Sequence, residues 1–94
     1  MIEVNQIGDG DPLEFEVMVR EASGETRHHV TMSKETYEKV MAGRHTPDGW
    51  LDAAFRFLLY REPKESILGR FDVTVISRYF PEFERELRRY LSQS

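Results

Sequence analysis

The 94-residue sequence contains no cysteine, which excludes disulfide bonds and thiolate ligands for a metal ion. It also has no apolar run near the ~20 residues that a membrane-spanning helix requires. Residues 1–5 show neither the basic start nor the apolar stretch of a secretory signal. Because small secreted domains usually depend on disulfides, these absences predict a cytoplasmic protein without a membrane partner.

Basic side chains are scarce at the N-terminal end of the chain. Residues 1–26 carry seven carboxylates and a single base, Arg20, whereas residues 27–94 carry twelve bases and ten acids. The acidic segment would repel nucleic acid and anionic membranes. Nucleic acid is therefore a disfavoured partner.

The composition is that of one folded domain spanning residues 1–94. Apolar residues make up 39% and charged residues 32%, and the aromatic residues are six Phe, four Tyr and one Trp. Such values are typical of globular rather than disordered chains, since aromatic side chains bury large areas. A chain of this length builds one hydrophobic core and no second domain.

Strict alternation of apolar and polar residues predicts strands in the first third of the chain. The clearest is 13–20, and segments 2–7 and 26–32 supply its neighbours. Turn-forming residues separate them at 8–12 and at Ser23–Gly24. We therefore expect an antiparallel β-meander of two or three strands over residues 1–32.

Helical spacing predicts three or four helices over residues 33–92. Ser33 and Thr46 are each placed to cap a helix start, because their hydroxyls can accept from free amides of the first turn. Gly43 is expected to end the first helix in the left-handed conformation. The fold class predicted is α+β, with the β-meander packed against these helices.

Shorter helices are predicted toward the C-terminal end. One spans 63–68, another is capped by Asp72, and the last starts at Pro81. The apolar positions of all these segments define the predicted core. Its members are Phe15, Val17, Val19, Val30, Tyr37, Trp50, Ala54, Phe55, Leu58, Ile67, Phe71, Ile76, Phe80, Phe83 and Leu87.

The histidines do not form a ligand set for a metal ion. His28 and His29 are neighbours in a predicted strand, so their side chains point to opposite faces. His45 lies in a loop with no fixed relation to them, and a zinc site needs three or four converging ligands. We expect partly exposed, structural imidazoles and no metal site.

Other chemistry-bearing patterns are also missing. No serine lies in a strand–turn–helix elbow, and no glycine-rich loop leads into a helix. Residues 8–11 resemble a calcium loop only in composition, because the acidic ligand that should close such a loop is absent. The sequence predicts no catalytic residue and no cofactor.

One segment resembles a DNA-binding family. Residues 65–81 read ESILGRFDVTVISRYFP, and the likeness of 65–87 is to the helix-turn-helix of TetR-type repressors. In this resemblance Asp72 takes the helix-capping position and Ile76 the buried position. Residues 79–81 match the Tyr-Phe-Pro ending.

The resemblance implies a recognition helix near residues 73–80, with Thr74, Ser77 and Arg78 facing bases or phosphates. The chain departs from the family at the turn, where Arg70–Phe71 replaces the usual Gly-Val. Three polar side chains are few for specific DNA binding, which normally draws on many phosphate contacts. The alternative interpretation is a helical hairpin that belongs to the core.

Two further patterns concern partners. The segment 27–59 resembles a ribbon-helix-helix unit, which implies that Arg27, His29 and Thr31 face DNA from a strand paired with its copy. On the last helix Arg85, Arg88 and Arg89 share one face, because they lie three and four residues apart. They are candidate contacts to a partner or to nucleic acid, although alternating glutamates are typical of a solvated helix.

Over its whole length the chain resembles the short conserved hypothetical proteins of bacteria, and this implies no activity. The function predicted is a non-catalytic protein-interaction or regulatory accessory module, whose partner is a protein or a second copy. The alternative is a helix-turn-helix DNA-binding protein, and a small enzyme comes third. A protein-binding role requires an exposed apolar patch or an unpaired sheet edge.

Overall fold

The computed structural model describes residues 1–91 and confirms the α+β class, with a four-stranded sheet whose one face is covered by helices. The strands are β1 Ile2–Gly8, β2 Leu13–Glu21, β3 Gly24–Met32 and β4 Arg70–Asp72. The helices are α1 Lys34–Ala42, α2 Pro47–Arg61, α3 Thr74–Tyr79 and α4 Phe83–Leu91, with a 3-10 turn at Lys64–Ser66. None of the helices in this range is long and apolar enough to cross a membrane.

The strands lie in the order β1-β2-β3-β4, so β1 and β4 form the two edges. The first three strands are the predicted antiparallel meander, whereas β4 joins β3 in parallel with Val30 opposite Phe71. This fourth strand was not predicted and lies inside the segment expected to be helical, 33–92. Three residues are too few for alternation to show.

Alternation along β2 sets the two faces of the sheet. Phe15, Val17 and Val19 are fully buried beneath the helices. Glu14 and Glu16 point to the opposite, solvent-facing side, where they meet basic side chains of β3. The helix-covered face thus holds the core, and the other face is charged.

Both predicted helix caps are confirmed. The Ser33 hydroxyl accepts from the Thr36 amide at 3.1 Å, and the Thr46 hydroxyl accepts from the Gly49 amide at 3.0 Å. The prediction that Gly43 is the left-handed residue at the end of α1 was wrong by one position. Gly43 has φ −78°, and the left-handed residue is Arg44, with φ 66°.

The end of α1 is a Schellman motif centred on that left-handed residue. The Arg44 amide donates to the Met41 carbonyl, and the His45 amide donates to the Val40 carbonyl. Glycine is the usual residue in the left-handed conformation, so the sequence predicted Gly43 at this position instead of Arg44.

The predicted core is confirmed at twelve of its fifteen positions, while Tyr37, Trp50 and Phe80 are only partly buried against it. The main omission was Phe57, which is wholly buried. Helix α2 packs against both the sheet and α4, so its apolar residues lie on two sides of the helix and not along a single stripe. Phe57 lies on the side that faces α4, with ring centroids 5.0 Å from Phe83.

Candidate functional site

The segment of residues 62–69, which we name the α2–β4 loop, is fastened to the sheet by two histidines. The His28 ring nitrogen Nδ1 lies 2.8 Å from the Leu68 carbonyl oxygen, and the His29 amide donates to the Gly69 carbonyl at 2.8 Å. Because a carbonyl can only accept, Nδ1 carries the proton in this bond. The loop is thereby held to β3 near its end.

His28 is buried, and this corrects the expectation of a partly exposed imidazole. It points to the helix-covered face of β3, where its ring lies 5.3 Å from that of Phe55. Its second ring nitrogen, Nε2, lies 2.8 Å from the Thr26 hydroxyl, which donates to it when the ring is neutral. Both polar atoms are satisfied, so the ring can occupy an apolar site.

A buried ammonium group fastens the start of the loop. Lys64 has a side chain only 2% exposed, and its Nζ lies 2.8 Å from Glu65 and 3.1 Å from Glu21. The same Nζ donates to the Ser23 hydroxyl at 2.8 Å in the turn between β2 and β3. Hydrogen bonds to Glu65 and Glu21 raise the pKa of Lys64, so the amine stays charged and is no nucleophile.

The Lys64 cluster was not predicted from the sequence. Residues 63–68 were predicted as a short helix, and nothing in their spacing shows that Glu21 and Ser23 lie next to Lys64 in the fold. In the fold the lysine ties the loop to the β-hairpin. The hydrogen bond from Lys64 lowers the pKa of Glu65, which keeps the ion pair charged at neutral pH.

Between the C-terminal half of α2, the α2–β4 loop and α3 lies a cavity of about 260 Å³, open to solvent on one side. We name it the α2–α3 groove. Its walls are mainly apolar and come from Leu58, Ile67, Phe71, Val75, Ile76 and Phe80. At its rim Leu68 is 47% and Tyr79 68% exposed.

The groove contains one titratable carboxylate. Glu62 lines it and is partly buried, and within residues 1–91 its side chain has neither an ion pair nor a hydrogen bond. The volume exceeds that of a cavity that holds benzene, about 150 Å³. It falls below the ~300 Å³ at which typical small-molecule sites begin. The groove thus suits one or two large apolar side chains with a cationic neighbour.

The structure separates the six residues proposed as partner contacts. Thr74 and Ser77 line a second groove, of about 450 Å³, beside α1 and α4. Arg78 is exposed on α3. On α4, Arg85 and Arg88 are exposed and Arg89 lies 3.7 Å from Glu86. These residues do not line one common surface depression.

The segment that resembles a helix-turn-helix has a different local structure from the one expected. The helix predicted over 63–68 is a single 3-10 turn, and the expected turn is occupied by strand β4. Asp72 does cap α3, since its Oδ2 accepts from the Thr74 amide at 3.1 Å. Burial tends to raise the pKa of Asp72, but hydrogen bonds from Thr31 and Thr74 lower it below the ordinary value.

The ribbon-helix-helix interpretation is contradicted by strand pairing. Strand β3 is paired with β2 along its whole length and with β4 at residues 29–31, so both of its edges are occupied there. Arg27 lies 3.6 Å from Glu16 and His29 3.0 Å from Glu14, both on the charged face of the sheet. A copy of β3 therefore cannot pair with it along residues 29–31.

His28 and His29 lie on opposite faces of the sheet, as predicted. Within residues 1–91, no three or more His, Cys, Asp or Glu side chains are grouped so that they could hold a metal ion. Comparison with known proteins adds nothing to this geometry, since no family model, curated protein or solved structure matches the chain. The α2–α3 groove is therefore the feature of the described residues from which we infer a function.

Proposed function

We propose that this α+β domain is a non-catalytic protein-interaction module whose α2–α3 groove receives an apolar side chain of a partner protein. The observation that carries the proposal is an apolar groove whose rim residues Leu68 and Tyr79 are largely exposed. Exposed apolar side chains grouped around a concave site are typical of binding surfaces. The volume favours an anchor side chain of a protein over a larger ligand.

The groove is formed before a partner arrives. Its loop wall is held by Lys64 at one end and by the hydrogen bonds of His28 and His29 at the other. A wall held in this way loses little conformational freedom when the groove is filled, which favours affinity.

The charge at the groove specifies the partner further. Glu62 is the carboxylate that lines it, and it has no partner of its own in residues 1–91. A lysine or arginine next to the apolar anchor would pair with this carboxylate at the edge of the groove. The ligand class is therefore a protein segment in which a large apolar residue adjoins a basic one.

Selection of random peptides displayed on phage tests this proposal. We expect the selected peptides to share a large apolar residue beside Lys or Arg, and we would measure their dissociation constants by fluorescence polarisation. Tyr79→Asp should weaken binding at least about tenfold, because it replaces an exposed aromatic side chain at the rim of the groove by a charged one. Glu62→Gln should weaken only those peptides that carry the basic residue.

Tyr60→Asp is the matched control, because Tyr60 is even more exposed but lies outside the groove. Selection without a common sequence, or peptides that bind the Tyr79 variant as tightly as the wild type, would refute the proposal. DNA binding through residues 73–80 stays a prediction. Strong, salt-sensitive retardation of random duplex DNA would favour it.

A further inference from the structure

Strand β1 is an unprotected edge of the sheet. It is seven residues long, whereas the opposite edge, β4, has three. Sheet edges are commonly blunted by lysine, proline or very short strands, and β1 contains neither lysine nor proline. Only the register irregularity between Gln6 and Gly8 interrupts it. Most of this edge is thus able to pair with another strand.

The pairing with β2 shows which backbone groups face the open side. Met1 and Arg20 exchange two backbone hydrogen bonds, of 2.7 and 2.8 Å. In an antiparallel ladder such positions alternate, so the N–H and C=O groups of Ile2, Val4 and Gln6 point away from β2. Within residues 1–91 they have no partner strand.

We propose that two copies of this chain associate through β1, antiparallel and about a two-fold axis at Val4. In this register Ile2 lies opposite Gln6 of the second copy, and Val4 lies opposite its own copy. The outward N–H and C=O groups of these residues then gain partners on both chains. The two sheets become one continuous sheet with helices on the same face.

The side chains agree with this register. Met1, 75% exposed, lies opposite Ile7 of the second copy, 55% exposed, at the register irregularity between Gln6 and Gly8, so the association brings two exposed apolar side chains near each other. Glu3 lies opposite Asn5 rather than opposite a carboxylate. If β1 of the second copy is shifted by two residues in one direction, Glu3 lies opposite Glu3 of the second copy. If it is shifted by two residues in the other direction, Met1 lies opposite Asp9 of the second copy. Both alternatives are less favourable.

Helix α2 packs against β1 on the helix-covered face, where Ile2 and Val4 are partly buried. The backbone edge of β1 that faces away from β2 nevertheless has no partner strand within residues 1–91. The edge is also independent of the α2–α3 groove. Phe71 of the groove lies in β4, three strands from β1, which is about 14 Å at the usual strand spacing.

Sedimentation equilibrium over a range of concentrations tests the association. We expect wild-type chain to form dimers, and Gln6→Pro to weaken them at least about tenfold, because proline removes an N–H that faces the second copy. This N–H makes no bond to β2, so the sheet within each chain is kept. Gln6→Thr is the matched control and should stay within about threefold of the wild type.

Cysteine cross-linking tests the register, since the natural chain has no cysteine. A mixture of Glu3→Cys and Asn5→Cys chains should form disulfide dimers faster than either variant alone, because facing non-hydrogen-bonded positions are close. A wild-type chain that stays monomeric up to about 1 mM would overturn the proposal. So would dimers that are unaffected by Gln6→Pro, or equal cross-linking in the mixture and the single variants.

Discussion

Replacement of His28 by phenylalanine should destabilise the domain by detaching the α2–β4 loop from the sheet. The ring keeps its place beside Phe55, since phenylalanine has a similar shape, but both of its hydrogen bonds disappear. The Leu68 carbonyl then lacks its donor at a part-buried position. The substitution thus isolates the polar contribution of His28 from its packing.

The magnitude follows from the groups left unpaired. Each lost hydrogen bond costs about 1 kcal/mol, and the part-buried Leu68 carbonyl adds only a fraction of the ~1–3 kcal/mol that a fully buried unsatisfied group costs. The greater apolar burial of phenylalanine offsets part of this, which leaves a net loss of about 1–3 kcal/mol. A domain of this size has a total unfolding free energy of about 5–14 kcal/mol. The substitution therefore removes a measurable share of it.

Urea unfolding followed by Trp50 fluorescence measures the loss. With a slope of about 1–2 kcal/mol per M, the midpoint should fall by about 0.5–3 M at an unchanged slope. Hydrogen exchange of the His29 amide gives a local measurement, because that amide donates to Gly69 in the same loop. Its protection should fall more than that of amides in β2.

Thr26→Val provides the control for the second bond. Alone it should cost about 0.5–1.5 kcal/mol, but added to His28→Phe it should cost close to nothing, because its partner atom is already absent. A His28→Phe variant within about 0.5 kcal/mol of the wild type would show that the loop does not depend on this histidine. The wall of the α2–α3 groove would then not be held in place by His28.

Two further substitutions test the core and the cap of α3. Phe57→Ala should cost about 3–5 kcal/mol in urea unfolding, because the ring is wholly buried among aromatic rings, whereas the exposed Tyr60→Ala should change little. Asp72→Asn should be less stable than the wild type at neutral pH. Because the pKa of Asp72 is lower in the folded chain than in the unfolded chain, this difference is complete above about pH 4 and is lost as the pH falls through the folded value. A difference that does not shrink in urea titrations as the pH falls below about 4 would contradict this assignment.

Local patterns in the sequence determined the first half of the fold. Alternation along β2 fixed which side chains enter the core, because one face of a strand must be buried and its period is two residues. The caps at Ser33 and Thr46 were equally readable, since a hydroxyl accepting from a nearby amide is a contact between close neighbours in the chain. Such contacts depend on few other residues.

The tertiary structure alone decided the features that join distant segments. Strand β4 exists because residues 70–72 return to the edge of β3, and Lys64 is buried because Glu21 and Ser23 are brought above it. The α2–α3 groove likewise needs a helix, a loop and α3 to meet. Strand β4 and the burial of Lys64 depend on contacts more than thirty residues apart, and the groove joins residues from 58 to 80. No periodicity in the chain encodes contacts of either range.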